Sequence, residues 1–268
     1  MKRIHILLIF FLTPFFLKAQ KDLVILHTND THSHIEPYKN KFGGYEARYE
    51  AVKQERDKDG ELLLLDAGDF MQGTSYFNLF KGKVEVKMMN KVGYDAVSLG
   101  NHEFDNGLEA LYKRLKKATF PVLCANYHFK HKKLEKLIKP YIVVEKKGVK
   151  IGIFGLLTDL KGYNGFSDVL NAVQYLDPLE TAQNIVKQLK EIEHCDFIIC
   201  LSHVGYEQVE LFQKVFDPDI ANAAGGIDLI IGGHTHKLLE QPDVVNGVPI
   251  LQNSDKGTMI GKMVIHFP

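Results

Sequence analysis

Residues 23–34 read "LVILHTNDTHSH", four apolar residues followed by His27, Asp30, His32 and His34 within eight positions. An apolar run of this length, bounded by polar residues, reads as a strand covered on both faces. Imidazoles and a carboxylate crowd its carboxyl end, which raises the question of whether other strands end in the same way. They do. "LLLL" at 62 leads into Asp66 and Gly68-Asp69, and "AVSL" at 96 into Gly100-Asn101-His102-Glu103. "FIICLS" at 197 leads into His203, and "DLII" at 228 into Gly232-Gly233-His234-Thr235-His236. Open α/β sheets bind ligands beyond the carboxyl ends of their strands, so these polar ends predict one shared rim. Gly68, Gly100 and Gly233 allow tight turns and close backbone approach there. The spacing Asp30-x-His32 and His234-x-His236 predicts, for extended chain, that both members of each pair point the same way.

Further apolar runs, "VLCA" at 122, "KIGIFGLL" at 150 and "MVIHF" at 263, alternate with amphipathic stretches. The clearest helix is predicted over 178–193, with Asp177 as cap, Pro178 in the first turn and Glu180 completing a capping-box-like pair. Its apolar positions Leu179, Ala182, Ile185, Val186, Leu189 and Ile192 share one face. A second helix over 108–118 aligns Leu108, Leu111 and Leu115. The sequence contains no internal repeat, low-complexity tract or Pro/Gly/Ser linker. One α/β domain is expected to fill residues 20–268, a length that buries a full core.

The first residues are a separate matter. Lys2 and Arg3 precede an apolar stretch from Ile6 to Leu17, too short to span a bilayer as a helix, with a small residue at Ala19. They read as a secretory signal peptide over 1–19, placing the protein in the periplasm or outside the cell. Its removal takes Lys2, Arg3 and Lys18 but no acid from a balance of 33 basic and 33 acidic residues, leaving a net charge of about −3. With no basic stripe, nucleic-acid polymers and membrane surfaces have no electrostatic footprint on the mature chain. Three cysteines (Cys124, Cys195, Cys200) are too few for a disulfide scaffold, although a Cys124–Cys195 bridge stays open.

Mixed imidazoles and carboxylates suit Zn, Mn, Fe or Co, whereas an all-oxygen set would suit Mg or Ca. So many ligands exceed the needs of one ion and match two divalent metal ions sharing a bridging carboxylate. Zn is the default from the affinity order. Other polar residues have quieter readings. His27 and His34 flank the first motif, Asp66 orients a ligand or caps a turn, Glu103 supports its loop, and His128 and His131 lie on the surface.

The ordered strings "LHTNDTHSH", "DAGDFMQGT", "SLGNHEFDNG" and "GGHTH" resemble the 5′-nucleotidase branch of the calcineurin-like metallophosphoesterases. The resemblance covers residues 22–268 and implies a four-layer α/β/β/α sandwich. It further implies that Asp30, His32, Asp69 and His236 hold one metal, and that Asp69 bridges to a second completed by Asn101, His203 and His234. His102, paired with Asp105, would then stand beside the scissile phosphate as the catalytic residue. Chemistry at such a centre is in-line attack on phosphorus by a metal hydroxide, with His102 aiding the leaving oxygen by roughly 10²- to 10⁴-fold. No arginine falls within a motif, so phosphate binding is left to the metals.

The expected substrate is a nucleoside 5′-monophosphate. A 2′,3′-cyclic nucleotide phosphodiesterase or a nucleotide-sugar pyrophosphatase is the enzymatic alternative, and Asp105, where the cyclic-nucleotide enzymes tend to carry Asn, favours the nucleotidase. A non-catalytic metal-binding subunit is a third reading, opposed by the intact His102 and full ligand set. Members of this branch usually continue into a C-terminal domain that selects the base. The sequence is expected to lack it, so either a separately encoded partner supplies it or the lone catalytic domain acts on a broader set of phosphate esters.

Overall fold

The computed structural model describes residues 21–39, 41–161, 163 and 167–267. The leader predicted over 1–19 lies outside the described residues. Among the described residues thirteen strands occur in chain order: β1 (Lys21–Thr28), β2 (Leu63–Asp66), β3 (Ala96–Ser98), β4 (Val122–Leu123), β5 (Tyr127–Phe129), β6 (Tyr141–Lys146), β7 (Val149–Leu157), β8 (Val173–Tyr175), β9 (Phe197–His203), β10 (Leu229–Gly232), β11 (Asp243–Val245), β12 (Val248–Leu251) and β13 (Gly261–Phe267). They form a five-stranded sheet ordered β13-β1-β2-β3-β4, a six-stranded sheet ordered β11-β12-β10-β9-β7-β6, and a small β5-β8 pair.

Within the first sheet β1, β2, β3 and β4 run parallel, with β13 antiparallel on the outside of β1. In the second, β7, β9, β10 and β12 are parallel, flanked by antiparallel β6 and β11. Every strand carrying a polar end in the sequence is therefore a parallel, interior strand. That is why these segments are continuously apolar: both faces are covered.

Three apolar cores define the layers. Leu23, Ile25, Leu63 and Leu65 of the first sheet pack against Ile151, Ile153, Ile199 and Ile231 of the second, all fully buried. The outer face of the first sheet (Leu26, Leu64, Val97) meets Val52, Val86, Met89 and Leu111 from the helices Gly44–Lys58, Lys83–Val92 and Gly107–Leu115. The outer face of the second (Phe154, Ile198, Ile230) meets Ala182, Val186 and Ile220 from Pro178–Lys187 and Asp217–Ala223. Alternate residues of each strand thus feed the central and the outer core. The result is the four-layer α/β/β/α sandwich.

The helix expected over 178–193 begins as predicted: Asp177 accepts a hydrogen bond from Glu180 N–H at 2.9 Å, with Pro178 in the first turn. Its end differs. The α-helix stops at Lys187 and continues as a π turn, Gln188–Ile192. The wider turn retards the face, so Leu189 stays buried while Ile192 is 64% exposed. The second helix spans Gly107–Leu115, with its three leucines buried. All three cysteines are free thiols, so the open Cys124–Cys195 bridge does not form.

Candidate metal centre

The two sheets bring their parallel strand ends to one rim. Asp30 and His32 follow β1, Asp69 follows β2, Asn101 and His102 follow β3, His203 ends β9, and His234 and His236 follow β10. The turns are pinned to one another through the backbone: Asp30 N–H donates to Gly68 O and His32 N–H to Asp69 O, both at 2.9 Å. Asp30, His32, Asp69, His234 and His236 all have left-handed backbones, with φ of 47°, 44°, 54°, 75° and 53°. Such conformations are uncommon outside glycine, each costs on the order of 1–3 kcal/mol, and they persist where the surroundings over-determine them. The extended geometry expected for the two alternating pairs is therefore replaced by tight turns, which aim the side chains across the rim rather than along the strand.

Six of the seven predicted ligands fall into two groups whose donor atoms lie within 4.8 Å of one another: Asp30, His32 and His236, and Asp69, His203 and His234. His234 and His236 separate into different groups, contrary to their expected common direction, because each occupies its own left-handed turn. In the first group, His32 Nε2 is 3.0 Å from His236 Nε2, and Asp30 Oδ1 is 3.4 Å from the latter. In the second, Asp69 Oδ2 is 3.2 Å from His203 Nε2 and also 4.0 Å from His32 Nε2, which sets it between the groups. Two donors bound to one tetrahedral ion at about 2.1 Å stand about 3.4 Å apart, so these spacings suit shared cations. Two further atoms fit a missing partner. His203 Nε2 and Asn101 Oδ1 are buried without a hydrogen-bond partner, the former facing Asp69 without hydrogen-bond alignment.

The electrostatics call for positive charge. Asp30 and Asp69 are 0% and 1% exposed, and a buried carboxylate is stable only when paired. Burial pushes both carboxyls up, but the neighbouring imidazoles (for Asp30 chiefly His236, for Asp69 chiefly His203) hold both below the usual range. Burial likewise works against charge on His203, yet Asp69 raises it to about 10. Protons on these rings and divalent cations are alternative answers to the same buried negative charge.

Glu103 and Gly100 hold Asp69 in place. Glu103 accepts from Asp69 N–H (3.0 Å), Met71 N–H (2.9 Å) and Gly100 N–H (2.6 Å), the loop-supporting role expected for it. Gly100 is required by close approach: a Cβ there would meet Asp69 Oδ1 at 2.1 Å. Asp66 caps its own turn, accepting from Gly68 N–H at 2.9 Å, and from Thr28 Oγ1 at 2.5 Å. His27 is buried against Asn253 and Gly261, outside both groups. His34 turns back to the carbonyls of Thr31 and His32.

His102 sits at the open side, its ring edge-on to His32 with centroids 5.4 Å apart. Its Nδ1 lies 3.1 Å from Asp105 Oδ2, which leaves Nε2 as the nitrogen that Asp105 does not engage. Burial lowers its proton affinity, but Asp105 and the nearby Asp69 charge outweigh that and raise the group to about 9. Sequence reasoning missed Glu210, Asp255 and Tyr163, which surround His234 and His236. None lies in a motif, and no local pattern marks them.

Residues 23–238 match the calcineurin-like phosphoesterase family model. The chain belongs to the calcineurin-like phosphoesterases. It is 34% identical over 272 residues to a 5′-nucleotidase of Vibrio cholerae, covering 91% of this chain and 49% of the relative. It is 33% identical over 281 residues to a trifunctional nucleotide phosphoesterase of Bacillus subtilis, covering 92% of this chain and 18% of that protein. Among solved structures, a 5′-nucleotidase precursor from Thermus thermophilus superposes with a TM-score of 0.81 at 33% identity, covering 92% of this chain and 52% of that one. This chain therefore spans about half the length of two of these relatives and less than a fifth of the third.

Proposed function

We propose that this phosphoesterase hydrolyses nucleoside 5′-monophosphates to nucleoside and phosphate at a two-ion centre. The observation that carries the reading is the pair of adjoining donor groups with Asp69 between them and the His102–Asp105 pair beside them. In the assignment, Asp30, His32, Asp69 and His236 hold one ion, and Asp69, Asn101, His203 and His234 the other. Divalent ions bound there supply Lewis acidity to the phosphoryl oxygens and water of lowered pKa. The protein does the rest. Asp69 and Asp30, buried and pinned by backbone hydrogen bonds, keep the centre preorganised so that little rearrangement accompanies the reaction. Asp105 holds His102 at Nδ1, so that Nε2 keeps its proton facing the site and can pass it to the departing ribose oxygen. A phosphate held by ions at this rim would present its ester oxygen to His102, which stands beside the first donor group.

The leader over 1–19 supports export, and Zn supports best the mixed imidazole and carboxylate donors. No helix among the described residues is long and apolar enough to cross a membrane. Base selection, as the half-length match suggests, rests on a further domain in this chain or on another polypeptide.

The test is phosphate release after chelator dialysis and re-addition of Zn, Mn or Co, on AMP, UMP, a 2′,3′-cyclic nucleotide, a nucleotide sugar and p-nitrophenyl phosphate. Metal-dependent release with the 5′-monophosphates preferred is expected. Preference for the cyclic nucleotide or the sugar nucleotide would overturn the substrate reading, and metal-independent release the two-ion reading.

A further inference from the structure

We propose that Glu210 and Asp255, on two separate loops outside every sequence motif, are positioning residues that fix which nitrogen of His234 and His236 faces an ion. The inference rests on the ligand assignment above and extends it to residues that assignment does not include.

The two histidines present opposite nitrogens to the rim. His236 directs Nε2 toward Asp30 and His32, and its Nδ1 lies 3.4 Å from Asp255 Oδ2. His234 Nε2 hydrogen-bonds with Tyr163 Oη at 3.1 Å and lies 3.4 Å from Glu210 Oε2, within ion-pair distance but without hydrogen-bond alignment, which leaves Nδ1 for the Asp69–His203 side. Each ring thus has a carboxylate oxygen 3.4 Å from the nitrogen away from its ion. His203 shows the same arrangement with a backbone group, its Nδ1 lying 2.6 Å from Ala67 O. A ligand imidazole held in this way keeps one tautomer and one ring orientation, and losing the outer partner typically weakens metal binding by roughly 10- to 100-fold.

Both carboxylates are themselves placed by the fold. Asp255 precedes Lys256, whose N–H donates to Asp30 O at 2.7 Å, so the Asp255 loop is tied to the same turn that carries the first ligands. Thr258 Oγ1 donates to Asp255 O at 3.0 Å, and Lys256 Nζ contacts the Asp255 carboxylate. Glu210 depends on Gln213, which is 6% exposed and accepts from both Val209 N–H and Glu210 N–H at 3.1 Å. That clamp folds the loop back over His234, while Leu211 next to it stands 97% exposed. The two grips are not equally needed. The His236 side chain is 40% exposed and His234 only 4%, so Asp255 restrains a ring that surrounding packing leaves free, whereas Glu210 acts on one already enclosed. Asp255→Ala is accordingly expected to cost more metal affinity than Glu210→Ala.

Metal affinity and cobalt spectra test this without reference to turnover. The full chain, stripped and reloaded with Zn, is titrated with a chromophoric chelator, and the Co form is followed by its visible absorption. His32→Ala and His203→Ala serve as references that mark the first and second ion. Asp255→Ala is expected to weaken, by roughly 10- to 100-fold, the ion lost in His32→Ala and to alter the same Co band. Glu210→Ala is expected to weaken the ion lost in His203→Ala, with Gln213→Ala weakening that ion in smaller measure. Asp255→Asn and Glu210→Gln, which keep shape and can still accept an N–H, should fall between native and alanine; they carry the test if an alanine variant does not fold. The chelator-treated variants should melt within 2 °C or so of the chelator-treated native protein. Native-like affinities at both ions, weakening of the wrong ion, or an equal fall in metal-free melting would overturn the proposal. If the native chain takes up fewer than two equivalents, the ligand assignment falls as well; if it takes up two and the variants match it, only this inference falls.

Discussion

Replacing Gly100 with alanine tests how tightly the rim is built. Gly100 has φ −107° and ψ 179°, an extended backbone that alanine adopts freely, so no conformational penalty enters. The whole effect comes from the added Cβ, which would lie 2.1 Å from Asp69 Oδ1, 2.5 Å from Asp69 N and 2.7 Å from Asp69 Cγ. Ordinary carbon contacts begin near 3.5 Å, so the carboxylate has to retreat by about 1 Å. Retreat is opposed from several sides. Asp69 Oδ1 accepts from His102 N–H at 2.9 Å, Asp69 N–H is held by Glu103, and Oδ2 abuts His203. Over-packing of this kind costs about 1–3 kcal/mol, a fall of roughly 2–12 °C in melting temperature of the metal-free protein. A 1 Å displacement of a reacting centre costs about 10²-fold in rate. The assay pairs calorimetry of the chelated protein with metal content and turnover on p-nitrophenyl phosphate. Gly60→Ala is the control, since nothing lies within 4 Å of a Cβ there. Gly100→Ala protein with two ions and turnover within about threefold of native would refute the claim that Gly100 fixes Asp69.

Changing His102 to Ala should leave metal content unaltered while lowering turnover by at least about 10²-fold; metal analysis beside steady-state kinetics checks both halves. Asp69→Ala should reduce the affinity of both ions because its Oδ2 stands between the groups, and a chelator titration that loses only one would contradict the bridge. Glu103→Ala strands three buried N–H groups, each worth about 1–3 kcal/mol, so urea denaturation should show a loss of at least about 3 kcal/mol. His27 supplies a pH dependence. Burial lowers its pKa to about 4, so the native ring stays neutral while the unfolded chain protonates near 6.5. The unfolded state then binds more protons between those values, and stability should fall as pH drops from 6.5 toward 4 by up to about 3 kcal/mol. Metal-free His27→Gln protein should lose that part of the slope, and an unchanged slope in paired denaturation curves would count against it.

The strand ends were legible because a parallel interior strand announces itself by a continuous apolar run, and whatever polar residue follows must stand at the sheet's rim. The same local logic marked Asp177 as a cap and the leucine stripe at 108, 111 and 115. It failed where backbone geometry departs from the ideal repeat. A π turn at Gln188–Ile192 rotates Ile192 into solvent, and no residue type there signals it. Left-handed turns at Asp30, His32, His234 and His236 replace the expected extended pairs. They carry asparagine-like short polar side chains only at Asp30, so propensity does not betray the rest.

The sequence by itself determined which residues stand at the carboxyl ends of the interior strands, and with them the chemistry available at the rim. That information is local, since periodicity and turn residues act over a few positions. The tertiary structure alone decided which ends meet. His32 faces His236 across 204 residues of chain, because apolar packing between the two sheets sets β1 against β10. It also decided the left-handed turns by which His234 and His236 reach different groups, and it sets Glu210 and Asp255 behind them. Those contacts depend on loop paths over the rim, which no periodic pattern encodes.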